Sequence, residues 1–106
     1  MEEKIEISIL LSLYGNLLTE TQKKYMELYY NEDLSLSEIG DNENITRQAV
    51  RTILVKSKNK LKGYESQLCF MKKQQNIKKI ITKFENESNE TEKKKLIEKI
   101  KNELDF

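Results

Sequence analysis

Arg47, Gln48 and Arg51 place two guanidiniums and a carboxamide within five residues of a helical stretch that opens at Thr46. Arginine can pair with guanine and glutamine with adenine, and either can hold a phosphate oxygen. A helix entering the major groove shows its N-terminal residues to base edges. The candidate nucleic-acid contacts there are Thr46, Arg47, Gln48, Arg51 and Thr52. At 100° per residue Arg47, Arg51, Lys58 and Lys62 fall within about 60° of one another. They form a ridge about 20 Å long, suited to following phosphates. Lys56 and Lys60 fall on the opposite flank. The plainer account of the lysines is a solvated face that keeps a long helix soluble.

Net charge hides this block. The 106 residues hold 19 basic and 18 acidic side chains, yet residues 46–80 carry ten basic against one acidic, while residues 1–45 carry three against ten. Catalysis has little to work with. Histidine is absent and cysteine occurs once, so the commonest general base and any paired-cysteine metal spacing are missing. No Gly-rich phosphate loop and no nucleophile signature appear, so no enzyme, no catalytic residue, no metal and no cofactor is expected. Cys69 reads as a small buried hydrophobe on a helix. No run approaches the roughly 18 apolar residues needed to span a bilayer, and Glu2, Glu3 and Glu6 before the short apolar run Ile9–Leu13 argue against a signal peptide. A cytoplasmic protein is expected.

Zero prolines and three glycines point to an all-α fold. Ile5, Ile9, Leu10, Leu13, Tyr14, Leu17 and Leu18 repeat at helical spacing, so a first helix covers about 2 to 15, stopped by Gly15-Asn16 in left-handed geometry. Thr19 with Gln22 is a capping box for a helix of about 20 to 31 that buries Tyr25, Leu28 and Tyr29. Ser35 with Glu38 is a second box, opening a short helix that ends near Asn42, and Thr46 is a third cap. From there Val50, Ile53, Leu54, Leu61, Tyr64, Leu68 and Met71 form one apolar stripe, which Gly63 can bend or break. The stripe resumes with Ile77, Ile80, Ile81 and Phe84. The polar segment 86–89 separates it from a last helix over about 90 to 104, offering Leu96, Ile97, Ile100 and Leu104. A single all-helical domain is expected over 1–106, with a core in 2–62 and a helical extension in 63–106.

Residues 36–55 carry the pattern of a helix-turn-helix. Gly40 is the small residue where the second helix crosses, and Asn44 is the turn residue that accepts positive φ. Ile39, Ile45, Val50 and Ile53 lock the pair. Glu43 stands where an apolar residue is usual, which predicts looser packing there.

Leu18-Thr19-Glu20-Thr21-Gln22, Leu28-Tyr29-Tyr30-Asn31-Glu32-Asp33, Leu36-Ser37-Glu38-Ile39-Gly40 and Thr46-Arg47-Gln48-Ala49-Val50 resemble the YlxM family, small bacterial proteins whose helix-turn-helix is similar to the fourth region of sigma factors. The match runs without gaps from about residue 5 to residue 71; beyond Gly63 it is mostly one of pattern. Tyr-Met-Glu-Leu-Tyr-Tyr at 25–30, together with Thr-Arg-Gln-Ala-Val, is its most specific part. The family commonly has tyrosine where this chain has Arg51, which makes the reading face more basic. The resemblance implies a sigma-region-four-like bundle followed by a long helix and C-terminal helices. It also implies a DNA- or RNA-binding accessory or regulator of the signal recognition particle pathway, a link that rests on neighbouring genes, with a component of the particle as a partner. An adaptor that kept the scaffold without reading DNA, or a transcription regulator unrelated to secretion, fits the residues too. The stripe over 50–71 and 77–84 offers more apolar surface than one helix-turn-helix covers; the first and last helices can fold back on it in a monomer, or a second copy can pair with it, and a homodimer is the expectation favoured. The five tyrosines are expected to pack rather than to stack on bases.

Overall fold

The structure, a computed structural model, describes residues 2–104. Those residues form six α-helices and no strand: α1 (Glu3–Tyr14), α2 (Glu20–Tyr30), α3 (Leu36–Glu43), α4 (Arg47–Leu68), α5 (Phe70–Glu85) and α6 (Glu90–Glu103). They group into two compact units, one ending at Leu68 and one beginning at Cys69.

The helix starts follow the side-chain chemistry. Thr19 Oγ1 accepts from the Gln22 N–H at 3.2 Å while Gln22 Oε1 accepts from the Thr19 N–H at 3.1 Å. Ser35 and Glu38 make the same reciprocal pair, both bonds at 3.1 Å, and Thr46 Oγ1 accepts from the Ala49 N–H at 3.0 Å. Asn89 opens α6 by accepting from the N–H groups of Thr91 and Glu92. Each cap satisfies backbone donors that the first helical turn leaves unpaired.

Two helix ends differ from expectation. Gly15 remains right-handed at φ −56°, and the chain tightens into a 3-10 turn over Gly15–Leu17; α1 is ended by a change of pitch, without the left-handed stop. α4 passes unbroken through Gly63, whose surroundings are open, and stops where Cys69 turns left-handed at φ 58°. Cys69 is therefore half-buried at a junction between helices, and the reading of it as a buried helical residue is corrected.

In the first unit α4 packs against α1, α2 and α3. Ile7, Leu10, Leu11 and Tyr14 of α1 meet Leu18, Tyr25, Met26, Ile39 and the buried α4 face of Val50, Leu54, Ser57 and Leu61. The spacing 50, 54, 57, 61 is one helical stripe, and each large aliphatic side chain buried on it contributes about 1.5–3 kcal/mol. Ser57 is fully buried, and its hydroxyl donates to the Ile53 carbonyl at 2.7 Å, so its polarity is satisfied within the helix. In α2 the buried pair is Tyr25 with Met26, while Leu28 and Tyr29 are half-buried. Tyr14 donates to Glu65 Oε1 at 2.7 Å, joining α1 to α4.

The second unit is the antiparallel hairpin of α5 and α6. Lys93 stands over the Phe84 ring at 5.3 Å near the connection, and Asn76 Nδ2 donates to Glu103 Oε1 toward the open end.

Candidate nucleic-acid interface

The candidate interface starts from the turn between α3 and α4. Asn44 adopts φ 61° and ψ 39°, the left-handed geometry that asparagine tolerates better than most residues. This sends the chain back so that the Gly40 carbonyl accepts from the N–H groups of both Asn44 and Ile45. A Cβ on Gly40 would stand 2.7 Å from the Ile45 carbonyl oxygen and 3.5 Å from the Arg47 nitrogen. Only hydrogen fits there, so Gly40 sets how closely α4 crosses α3.

Glu43, where an apolar residue is usual, is held by a cation. Its carboxylate meets Lys24 Nζ at 2.7 Å, with the Glu43 side chain 21% exposed. The ammonium of Lys24 is held above its ordinary pKa chiefly by this bond. An ion pair between α2 and α3 thus stands where an apolar contact is usual.

The crossing presents the N-terminal turns of α4 outward. Thr46, Arg47, Gln48, Arg51 and Thr52 are all exposed, and the first turn contains no acidic residue. Among the described residues no ion pair engages Arg47 or Arg51. Thr46 and Thr52 are less available: Thr46 caps the helix, and the Thr52 hydroxyl donates to the Gln48 carbonyl at 3.0 Å. Arg47, Gln48 and Arg51 remain as the side chains best placed to reach a base or phosphate.

The ridge does not continue uniformly. Lys58 is 28% exposed and pairs with Glu3 Oε1 at 3.0 Å, and Lys62 adds to the field that holds Glu3 below its ordinary pKa, the Lys58 bond being the larger cause. Lys62 itself is exposed. Sequence spacing gave no sign that α1 supplies a carboxylate to one of these four cations. Because Glu3 is acidified by folding, the pair stabilises the fold above the unfolded carboxylate pKa and is lost as pH falls through the lowered folded value. Glu3→Gln should therefore flatten the acid limb of the stability curve slightly, an outcome that urea melts from neutral pH to about pH 3 would read. An unchanged acid limb would mean the pair contributes nothing.

Two clefts flank the arginines. Ser37 and Tyr29 line one of about 370 Å³ with Arg47, and Tyr29 and Tyr30 line one of about 180 Å³ with Arg51 and Lys58. Burial pushes the Tyr30 phenol up, so it stays a neutral hydroxyl. The sequence reading gave these tyrosines to packing. Tyr29 and Tyr30 do pack edge to face at 4.9 Å, yet both remain half-buried beside the arginines. The signal was their position just before the loop that leads into α3.

Among the described residues no group of His, Cys, Asp or Glu could hold a metal ion, and no helix is long and apolar enough to cross a membrane.

A family model described as "UPF0122: Putative helix-turn-helix protein, YlxM / p13 like" matches residues 1–103. A UPF0122 protein of Clostridium kluyveri is 43% identical over 105 residues, covering 96% of this chain and 95% of that protein. One from Fusobacterium nucleatum is 36% identical over 100 residues, covering 94% and 97%. One from Clostridium acetobutylicum is 45% identical over 84 residues, covering 76% and 72%. With a helix-turn-helix hinged at Gly40 and Asn44 and a family match along nearly the whole length, the chain belongs to the UPF0122 family of YlxM / p13-like helix-turn-helix proteins.

Proposed function

We propose that this protein binds nucleic acid with the N-terminal half of α4 and acts in the bacterial cytoplasm as an accessory or regulatory factor of the signal recognition particle pathway. The observation that carries the binding reading is the pair Arg47 and Arg51, exposed and outside any described ion pair on the outward face of the second helix of the motif. An exposed guanidinium keeps its charge and its forked donors for phosphate or guanine. Gln48 adds an amide of the kind that pairs with adenine, and Lys62 extends the positive field. The pathway assignment rests on the YlxM resemblance, and a component of the particle is the partner it suggests.

One observation favours a second reading, a protein adaptor on the same scaffold. Glu3 already meets the charge of Lys58, which shortens the run of cations available to a phosphate backbone. Chemical-shift mapping of the amide spectrum during titration with a short DNA duplex, then with an RNA hairpin, separates the two. The binding reading expects shifts concentrated in residues 46–52 with either ligand. A spectrum that neither ligand perturbs would sink it in favour of the adaptor.

A further inference from the structure

The two clefts beside the arginines share a wall. Tyr29 and Leu36 line both, with Arg47 in one and Arg51 and Lys58 in the other. Arg47 and Arg51 lie one turn apart on α4, a spacing that makes their side chains neighbours on its surface. Tyr29, near the end of α2, therefore stands beside both guanidiniums. No carboxylate lines either cleft. Glu3, Asp33 and Glu38, on the neighbouring segments, are bonded to Lys58, Lys4 and the Ser35 N–H. Lys58 is thus met by Glu3, and the charge left open at the clefts is that of the two arginines.

The Tyr29 ring is fixed by its neighbours. It packs edge to face with Tyr30 at 4.9 Å between centroids, and the Lys4 ammonium, anchored by Asp33, lies over it at 5.7 Å. Among the described residues the Tyr29 hydroxyl makes no hydrogen bond, whereas Tyr14 and Tyr64 donate theirs to Glu65 and to the Leu17 carbonyl. A fixed ring with an unspent donor beside two guanidiniums is arranged to hold an anion. The same packing argues against a base stacked on the ring, because one face already carries Lys4. On a nucleic acid the acceptors that tyrosine hydroxyls and arginines share are the phosphate oxygens.

We propose that the Tyr29 hydroxyl donates to a backbone phosphodiester of the bound nucleic acid, which Arg47 and Arg51 hold from the α4 side. This rests on α4 binding nucleic acid, as proposed above, and adds to it a contact from α2, outside the helix-turn-helix. Tyr30 and Lys4 are positioning residues that fix the ring. A phosphate contact carries no sequence information, so this one strengthens binding to every sequence alike. An uncharged hydroxyl releases no counterion, so the salt dependence is left to the arginines.

Tyr29→Phe keeps the ring and removes only the hydroxyl. Fluorescence anisotropy of the full chain against labelled DNA duplexes of different sequence and a labelled RNA hairpin, over a series of salt concentrations, reads its effect. The amide spectrum checks that the fold is intact. The variant is expected to bind each ligand that the parent binds about three- to tenfold more weakly, with an unchanged slope of log affinity against log salt. In a chain that also carries Arg47→Ala and Arg51→Ala, the same change should cost less than about twofold, because the phosphate is no longer held there. A Tyr29→Phe protein that binds as the parent does, while the arginine pair still loses affinity, overturns the contact and leaves the nucleic-acid reading standing. An equal loss in the arginine background also overturns it, since the hydroxyl would then act apart from the two guanidiniums. A parent that binds neither DNA nor RNA overturns both.

Discussion

Gly40→Ala is expected to destabilise the first unit by about 2 kcal/mol or more, while the same substitution at Gly63 stabilises it by about 1 kcal/mol. The chemical change is one methyl in each case, and both sites are helical, so intrinsic propensity favours alanine equally. The surroundings decide the sign. At Gly40 the methyl would sit 2.7 Å from the Ile45 carbonyl oxygen, a backbone atom in a turn pinned by the Asn44 geometry and by hydrogen bonds to the Gly40 carbonyl. Relief requires α4 to move off α3, which breaks the contacts of Ile39 and Val50, both fully buried. At Gly63 nothing lies within 4 Å. Thermal melts followed by circular dichroism should show Gly40→Ala lower by roughly 10 °C and Gly63→Ala slightly higher. A Gly40→Ala protein as stable as the parent would refute the close crossing.

Replacing Arg47 and Arg51 together by alanine is expected to lower nucleic-acid affinity roughly 10- to 100-fold at moderate salt. Both side chains lie on the surface, so the loss should come without loss of fold. If the two guanidiniums contact phosphates of a DNA duplex, the slope of log affinity against log salt should become shallower by about 1.8. If they read bases, the loss appears mainly as reduced preference between duplexes of different sequence, about 1–3 kcal/mol for each contact. A control pair, Lys79→Ala with Lys83→Ala, removes as much positive charge from the exposed surface of α5. It should change affinity far less than the arginine pair. Equal losses from both pairs would mean that diffuse charge does the binding and that α4 reads nothing.

Much of the fold was legible because its determinants are local. Thr19 with Gln22, Ser35 with Glu38, and Thr46 mark helix starts through bonds three residues long, and all three caps form as the pattern implies. Gly40 and Asn44 were legible for the same reason: a close crossing and a left-handed turn each demand a particular residue type. What escaped depends on distant partners. Nothing near Glu43 in sequence reveals Lys24, and nothing near Lys58 reveals Glu3, so one apparent mismatch proved to be an ion pair and one candidate phosphate contact proved to be occupied. The stop at Cys69 carries no Gly, Asn or Asp to announce it, whereas Gly63 announced a break that α4 does not make. Helical periodicity found the apolar stripe but could not say which part α1, α2 and α3 would cover. That division closes the face of Val50, Leu54 and Leu61 within the first unit.

The salt dependence of binding by the parent chain tests the central claim most directly, read by fluorescence anisotropy against a labelled random duplex and a labelled structured RNA. If Arg47, Arg51 and the cations beside them make two to four phosphate contacts, affinity for the duplex should fall roughly 10- to 100-fold between about 50 mM and about 200 mM salt. No binding to either nucleic acid at the lower salt would contradict the claim and leave the helix-turn-helix as a scaffold for protein contacts.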